Sequence, residues 1–383
     1  MSFTAKAMFP GDLHDVAGRL ARETGEKLAN VKEAAAAESL YAVAWKQAAR
    51  LGWCGILIPE ADGGAGGTLQ DVAALAEATS RHALALPIVP ACAVAPALLA
   101  ASVPGPQRAA RAAHVSEGSW RVAAVFAEDA VVARSRGDGY LISGIANAVD
   151  VTGAPTHLLL ACRGGGETEA AIFVVPAHQA GVAQTAYTGM DGRITADIAF
   201  TGCRVDEECL LARGDSVINA VERARRAGAA IACVEVVAAA GRLIEETIGY
   251  LHTRVQFGFP LARLDVLRHK VAEMYVAYEN LKALVGSVVR EAEAGTPGWP
   301  RKVSLAKLYA GEVGRFVAHA GIQLHGAMGM TEELLAARLA RRMLMAEFDY
   351  GDRMYHLGRL AGMQPLVETR SARRDREMTQ RSM

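Results

Sequence analysis

The chain has 383 residues, 51% of them hydrophobic and 21% charged, which is enough to bury a large core and build two or three packed units. Lysine plus arginine and aspartate plus glutamate each number 41, so no net field draws the protein onto nucleic acid or an anionic membrane. Any anion it binds must meet a local site. Apolar stretches such as Ala229 to Ala240 fall short of the roughly 20 residues that a membrane span needs. Met1 to Asp15 lacks the basic start and apolar run of a secretory signal, so the cytoplasm is the expected compartment. Six scattered cysteines without a Cys-x-x-Cys pair argue for reduced structural thiols and against a disulfide framework or a zinc site.

From Asp12 to about Ala101 the alanine- and leucine-rich pattern has helical spacing, interrupted by the glycine-rich stretch Pro59 to Gly67. Residues 1–117 are therefore expected to form an all-helical domain. After Pro104 the texture changes to short β-prone runs, Arg121–Phe126, Gly139–Gly144, His157–Cys162, Ala171–Val175 and Ile194–Phe200, separated by Gly, Asp and Pro. These predict a middle β-barrel or sandwich over residues 118–216. Helical spacing returns at Val217 and lasts to about Met363, broken at Gly295–Pro300 and again at Gly326–Gly329. Residues 217–366 thus read as a C-terminal helical bundle, and 367–383 as a frayed polar tail. The expected class is α+β, in the order helical, β, helical.

Two segments carry more specific information. One is Arg254-Val-Gln256-Phe257-Gly258, at the end of a long helix and followed by Leu267–Met274. The other is Gln323-Leu-His325-Gly326-Ala327-Met-Gly329-Met-Thr331-Glu332. Together they resemble the Arg-x-x-Phe-Gly hinge and the glutamine-glycine loop of the acyl-CoA dehydrogenase family, with a departure at Ala327. Weaker similarity at Leu51–Glu60, Gly139–Gly144 and Val205–Gly214 extends the resemblance over about residues 12–363. Met274–Glu279 and Tyr350-Gly351-Asp352 make the chain most similar to the small subunits of bacterial two-subunit members, such as the pimeloyl-CoA type.

The resemblance implies the acyl-CoA dehydrogenase fold, an FAD cofactor and no metal. It places Arg254 on the FAD diphosphate, with Gln256 and Phe257 beside the cofactor and Gln323, Gly326 and Ala327 in a loop that reaches the FAD of a neighbouring subunit. Two other readings stand beside these: Arg254 as a cap on its own helix, and the glycine loop as an ordinary helix C-cap. Phe126, Ala127 and Asp352 fall at positions that meet the flavin ring in relatives. The Thr-Glu-Pro-x-x-Gly-Ser-Asp loop of those relatives is here reduced to Phe126–Ala130, and the aromatic and threonine of the next strand become Ala148 and Asp150.

Abstraction of the α-proton of an acyl thioester needs a carboxylate base. The usual glutamate position holds Tyr350, and the alternative position on the long helix holds Gly228; a phenol titrating near 10 is a poor base at neutral pH. Glu235 and Asp349 are the candidate bases, with Glu347 and Asp352 behind them. The competing readings are that Glu235 is a buried ion pair with Arg225, Arg226 or Arg242, and that Asp349 caps the turn at Gly351. The family's activity implies an acyl-CoA substrate, an electron-transfer flavoprotein as acceptor, and a homo-oligomer or a paralogous large subunit. The leading expectation is α,β-dehydrogenation of an acyl-CoA. The alternatives are a non-catalytic subunit that shares an FAD site with a paralogue and, more remotely, a monooxygenase or nitroalkane oxidase on the same fold.

Overall fold

In the computed structural model the described residues are 3–29, 34–164, 169–296, 298–331 and 333–362; Glu332 and the polar tail lie outside them. The N-terminal unit is built from α1 (Asp12–Ala29), α2 (Ala34–Arg50), α3 (Leu69–Ser80), α4 (Ala95–Leu99) and α5 (Pro106–Ser116). A capping box starts α3: Thr68 and Asp71 each satisfy the other's backbone N–H. An extended strap at residues 3–10 is fastened to two helices. Met8 and Phe9 donate their N–H groups to Glu77 on α3 (2.7–3.0 Å), and Ala5 donates to Glu245 (2.5 Å).

The middle unit is an eight-stranded sheet with strands β1 (Val122–Phe126), β2 (Val131–Arg136), β3 (Gly139–Asp150), β4 (His157–Gly164), β5 (Ala170–Pro176), β6 (Val182–Thr188), β7 (Ile194–Asp206) and β8 (Leu210–Arg213). The order is β6-β7-β3-β2-β4-β5-β8, with β1 parallel to β4. Ile142, Leu158, Leu160, Phe173 and Ile198 fill its own core. Strand β3 is bulged between Ala146 and Val149, where Ala148 takes a φ of 55°. Such a bulge bends the strand and re-aims the residues that follow it.

The C-terminal bundle consists of α6 (Asp215–Thr253), α7 (Asp265–Glu293), α8 (Trp299–His325), α9 (Leu335–Ala346) and α10 (Arg353–Leu360). Helix α6 packs against α3, α7, α8 and α9, and every residue from Gly228 to Gly241 is buried. By length and composition alone α6 is apolar enough to cross a membrane, but 94% of its apolar window is buried inside the protein. It is the core helix, which is why it is apolar on all sides.

Candidate functional site

Helix α6 stops at Thr253. The chain then turns through a two-residue hairpin in which Val255–Gln256 pairs with Phe259–Pro260, with Phe257 and Gly258 both at positive φ (56° and 83°). The terminal carbonyl of Tyr250 is met by the Arg254 backbone N–H (2.8 Å) and the Thr253 hydroxyl (3.2 Å). The Arg254 guanidinium is therefore not needed as a cap, and among the described residues it has no side-chain partner. It is exposed, as is Gln256, and Phe257 is 82% exposed. A free arginine fork beside an uncovered phenyl ring is a binding surface in waiting.

The second segment lies alongside the first. His325, at the end of α8, is buried with Nδ1 2.8 Å from the Gly321 carbonyl, and its ring lies 4.7 Å from that of Tyr250. Beyond it the chain turns sharply at Gly326 (φ 61°) into a short 3-10 turn to Met330. Gln323, Gly326 and Ala327 are exposed, so the methyl of Ala327 clashes with nothing in the chain. Gly329, in contrast, sits where a Cβ would come within 2.6 Å of the Ile322 carbonyl. The hinge and the loop thus form one exposed face with an arginine, two glutamines and open backbone.

The residues expected at the ring end are engaged elsewhere. Phe126 lies under the Arg225 guanidinium (4.4 Å), which also binds Glu128 (2.9 Å). Ala127 is buried and its N–H donates to the Ala161 carbonyl (2.9 Å). Asp352 caps α10, accepting from the Tyr355 N–H (2.8 Å). Ala127 is enclosed, Phe126 is half-buried and Asp352 is exposed, so of the three residues expected at the ring end Asp352 has the most open surface.

The base positions are filled as well. Tyr350, at φ 55°, lays its ring over Gly228, where a Cβ would approach it to 2.5–2.7 Å. The two sites at which relatives carry their glutamate therefore point into one volume, and a phenol occupies it. Burial pushes the Tyr350 hydroxyl well above its ordinary value, and Asp150 and Asp349 add to the shift. The turn that carries it is clamped by Lys307, a buried ammonium that donates to the carbonyls of Ala346 and Glu347 (2.8 Å each) and Gly351 (3.2 Å).

Glu235 and Asp349 are brought together, in a buried ion cluster. Glu235 accepts from Arg193 (2.9 Å) and Arg342 (2.5 Å); Arg342 also binds Asp349 and Asp191 (3.0 Å to the latter), and Arg193 reaches Asp150 (3.5 Å). Arg193 and Arg342 are 9% and 7% exposed. Burial alone would raise the Asp349 carboxyl, but Arg342 and Arg193 outweigh it and hold it below the usual aspartate value. As a proton acceptor, either acid would have to part from a guanidinium. The sequence reading of Glu235 as ion-paired holds with different partners: Arg225, Arg226 and Arg242 bind Glu128, Glu222 and Glu246. Arg193 and Arg342 escaped notice because they come from a sheet loop and from α9, distant in sequence. The signal was a carboxylate in an alanine run, which must find a cation somewhere.

The residues present fit the diphosphate end of an FAD, where Arg254, Gln256 and the Gln323–Ala327 loop are exposed, whereas the base positions hold the Tyr350 ring packed on Gly228 and Glu235 is paired with Arg193.

Comparison with known proteins identifies the family. Residues 12–103 match the acyl-CoA dehydrogenase N-terminal domain and residues 218–362 its C-terminal domain. Acryloyl-CoA reductase (NADH) of Anaerotignum propionicum is 30% identical over 169 residues, 44% of this chain and 42% of that protein. Human mitochondrial short-chain specific acyl-CoA dehydrogenase is 25% identical over 230 residues, 57% and 54% of the two chains. The chain spans about half the length of the curated relatives it matches. Among solved structures, a chain of the ChsE4-ChsE5 complex from Mycobacterium tuberculosis superposes with a TM-score of 0.80 at 20% identity, covering 95% of this chain and all of that one. Motifs, domain order and matches at both ends converge: the chain belongs to the acyl-CoA dehydrogenase family, whose members are FAD-dependent oxidoreductases acting on CH–CH donors.

Proposed function

We propose that this chain is a subunit of an FAD-dependent acyl-CoA dehydrogenase assembly, in which it holds the ADP half of an FAD whose ring is seated in a paralogous, base-bearing subunit. The observation that carries this reading is the Tyr350 ring packed on Gly228, which leaves neither base position with a carboxylate. FAD in such an assembly supplies the acceptor for the two electrons removed when an acyl-CoA becomes its α,β-enoyl-CoA. This chain's part is electrostatic and steric. Arg254 neutralises the diphosphate with a planar fork, Gln256 and Gln323 donate hydrogen bonds, and Phe257 shields the cofactor from water. The exposed ring of Phe257 on the hinge and the exposed Met328 and Met330 on the loop suit a surface that a partner covers. The structural likeness to a chain from a two-protein complex supports the same arrangement. Electrons then pass from the assembly to an electron-transfer flavoprotein.

Co-expression with and without a paralogous subunit tests the reading. The chain alone should purify without flavin absorbance and leave an acyl-CoA panel unchanged; the pair should be yellow and should bleach anaerobically with its acyl-CoA. Arg254→Gln should weaken FAD retention by the pair by about 10- to 100-fold, the worth of one charged hydrogen bond. Stoichiometric FAD and acyl-CoA turnover by the chain alone would overturn the subunit assignment.

A further inference from the structure

Further along α6 from the flavin hinge, α1, the end of α3, α6 and α9 enclose a cleft of about 470 Å³ whose wall carries Arg22, Arg81, Arg242, Arg338 and His82. For a chain with equal numbers of acidic and basic residues this is a marked concentration of one charge. Glu26 is the only acid among the lining residues. Arg81 and Arg242 share Glu245 (3.0 and 3.3 Å) on the far side, and Arg242 also binds Glu246 (2.7 Å). Arg22 and Arg338 have no ion pair among the described residues. The Nε atoms of Arg242 and Arg338 are buried and have no hydrogen-bond partner among the described residues. His82 feels the same field: burial, then Arg242, Arg22, Arg81 and His14, push its imidazole down to about 4.

We propose that this cleft is an anion site for a diphosphate-bearing small molecule, held between the guanidinium groups of Arg22 and Arg338 with Arg81 and Arg242 behind them. Two unpaired guanidinium groups call for at least two negative charges on the ligand, which a diphosphate supplies and a monocarboxylate does not. The four arginines arrive on four separate elements, so the site exists only in the folded chain. A second hollow of about 580 Å³ shares Arg81 and Arg242, carries Glu245 and Glu246, and runs on to Tyr250, Thr253 and His325 beside the flavin hinge. None of the residues lining the first cleft belongs to the hinge or to the glutamine loop, so substitution at Arg254 separates this proposal from the flavin reading.

Inorganic pyrophosphate is the probe, titrated into the purified chain at low salt by calorimetry and by NMR of the histidine side chains, with His82 identified through His82→Asn. Binding should raise the His82 midpoint from about 4, because an anion offsets the arginine field. It should weaken at least tenfold in Arg22→Gln/Arg338→Gln and fade with added salt. Arg254→Gln removes the other diphosphate-binding group and should leave the His82 response intact, as should Arg136→Gln on β2. Pyrophosphate that leaves His82 unmoved, or a His82 response that survives in the double variant or vanishes in Arg254→Gln, would overturn the proposal.

Discussion

The contact between Tyr350 and Gly228 fills the base position with a phenol ring, and it is accessible to substitution. Gly228→Ala places a methyl 2.5–2.7 Å from the phenol ring. The helix-propensity gain of about 1 kcal/mol for replacing glycine is outweighed by overpacking of roughly 1–3 kcal/mol, so urea unfolding should show a net loss. Adding Tyr350→Ala should remove that clash, making the pair non-additive. Glu235 belongs to a more demanding environment. Glu235→Ala leaves Arg193 and Arg342 short of a counter-charge in the interior, a change expected to destabilise by about 3–5 kcal/mol. A loss under 1 kcal/mol by chemical denaturation would mean that the remaining acids compensate fully.

At the scale of elements, the helices and the central strands were legible because long amphipathic or alanine-rich periods leave few alternatives. Strands β2, β6 and β8 were not. Val131–Arg136 turns polar and exposed halfway along, Val182–Thr188 is an edge strand with little burial, and Leu210–Arg213 is only four residues long. Their pairing is decided by neighbours and not by their own pattern. The flavin hinge and the glutamine loop could be read because the motif residues are local. The ion cluster could not, since Asp150, Asp191, Arg193, Glu235, Arg342 and Asp349 come from four separate stretches of chain. Helix α10 brings a pH dependence of its own. His356 is buried against Ser304, and its imidazole is pushed down to about 4, first by burial and then by Lys307. Between about pH 6.5 and 4 the unfolded chain takes up a proton that the native histidine refuses, so stability present above 6.5 drains away as the pH falls. His356→Asn should flatten that part of the stability–pH curve; an unchanged slope would point to other groups.

Across the whole molecule, the Arg193–Glu235 and Arg342–Asp191 pairs join the sheet to the bundle, and the two should lose amide protection together in hydrogen exchange. Breaking the cluster should let the sheet open at lower free energy than the bundle. The strap at residues 3–10 makes a comparable connection at the other end. Glu77, 3% exposed on α3, receives its hydrogen bonds from the strap's own amides. Clipping the chain ahead of Gly11 would strand that carboxylate in an apolar helix interface without donors, so a nicked protein should melt well before the intact one. The first few residues thus behave as a structural ligand of the helical body, and a protease that trims them acts on the molecule's resistance to heat.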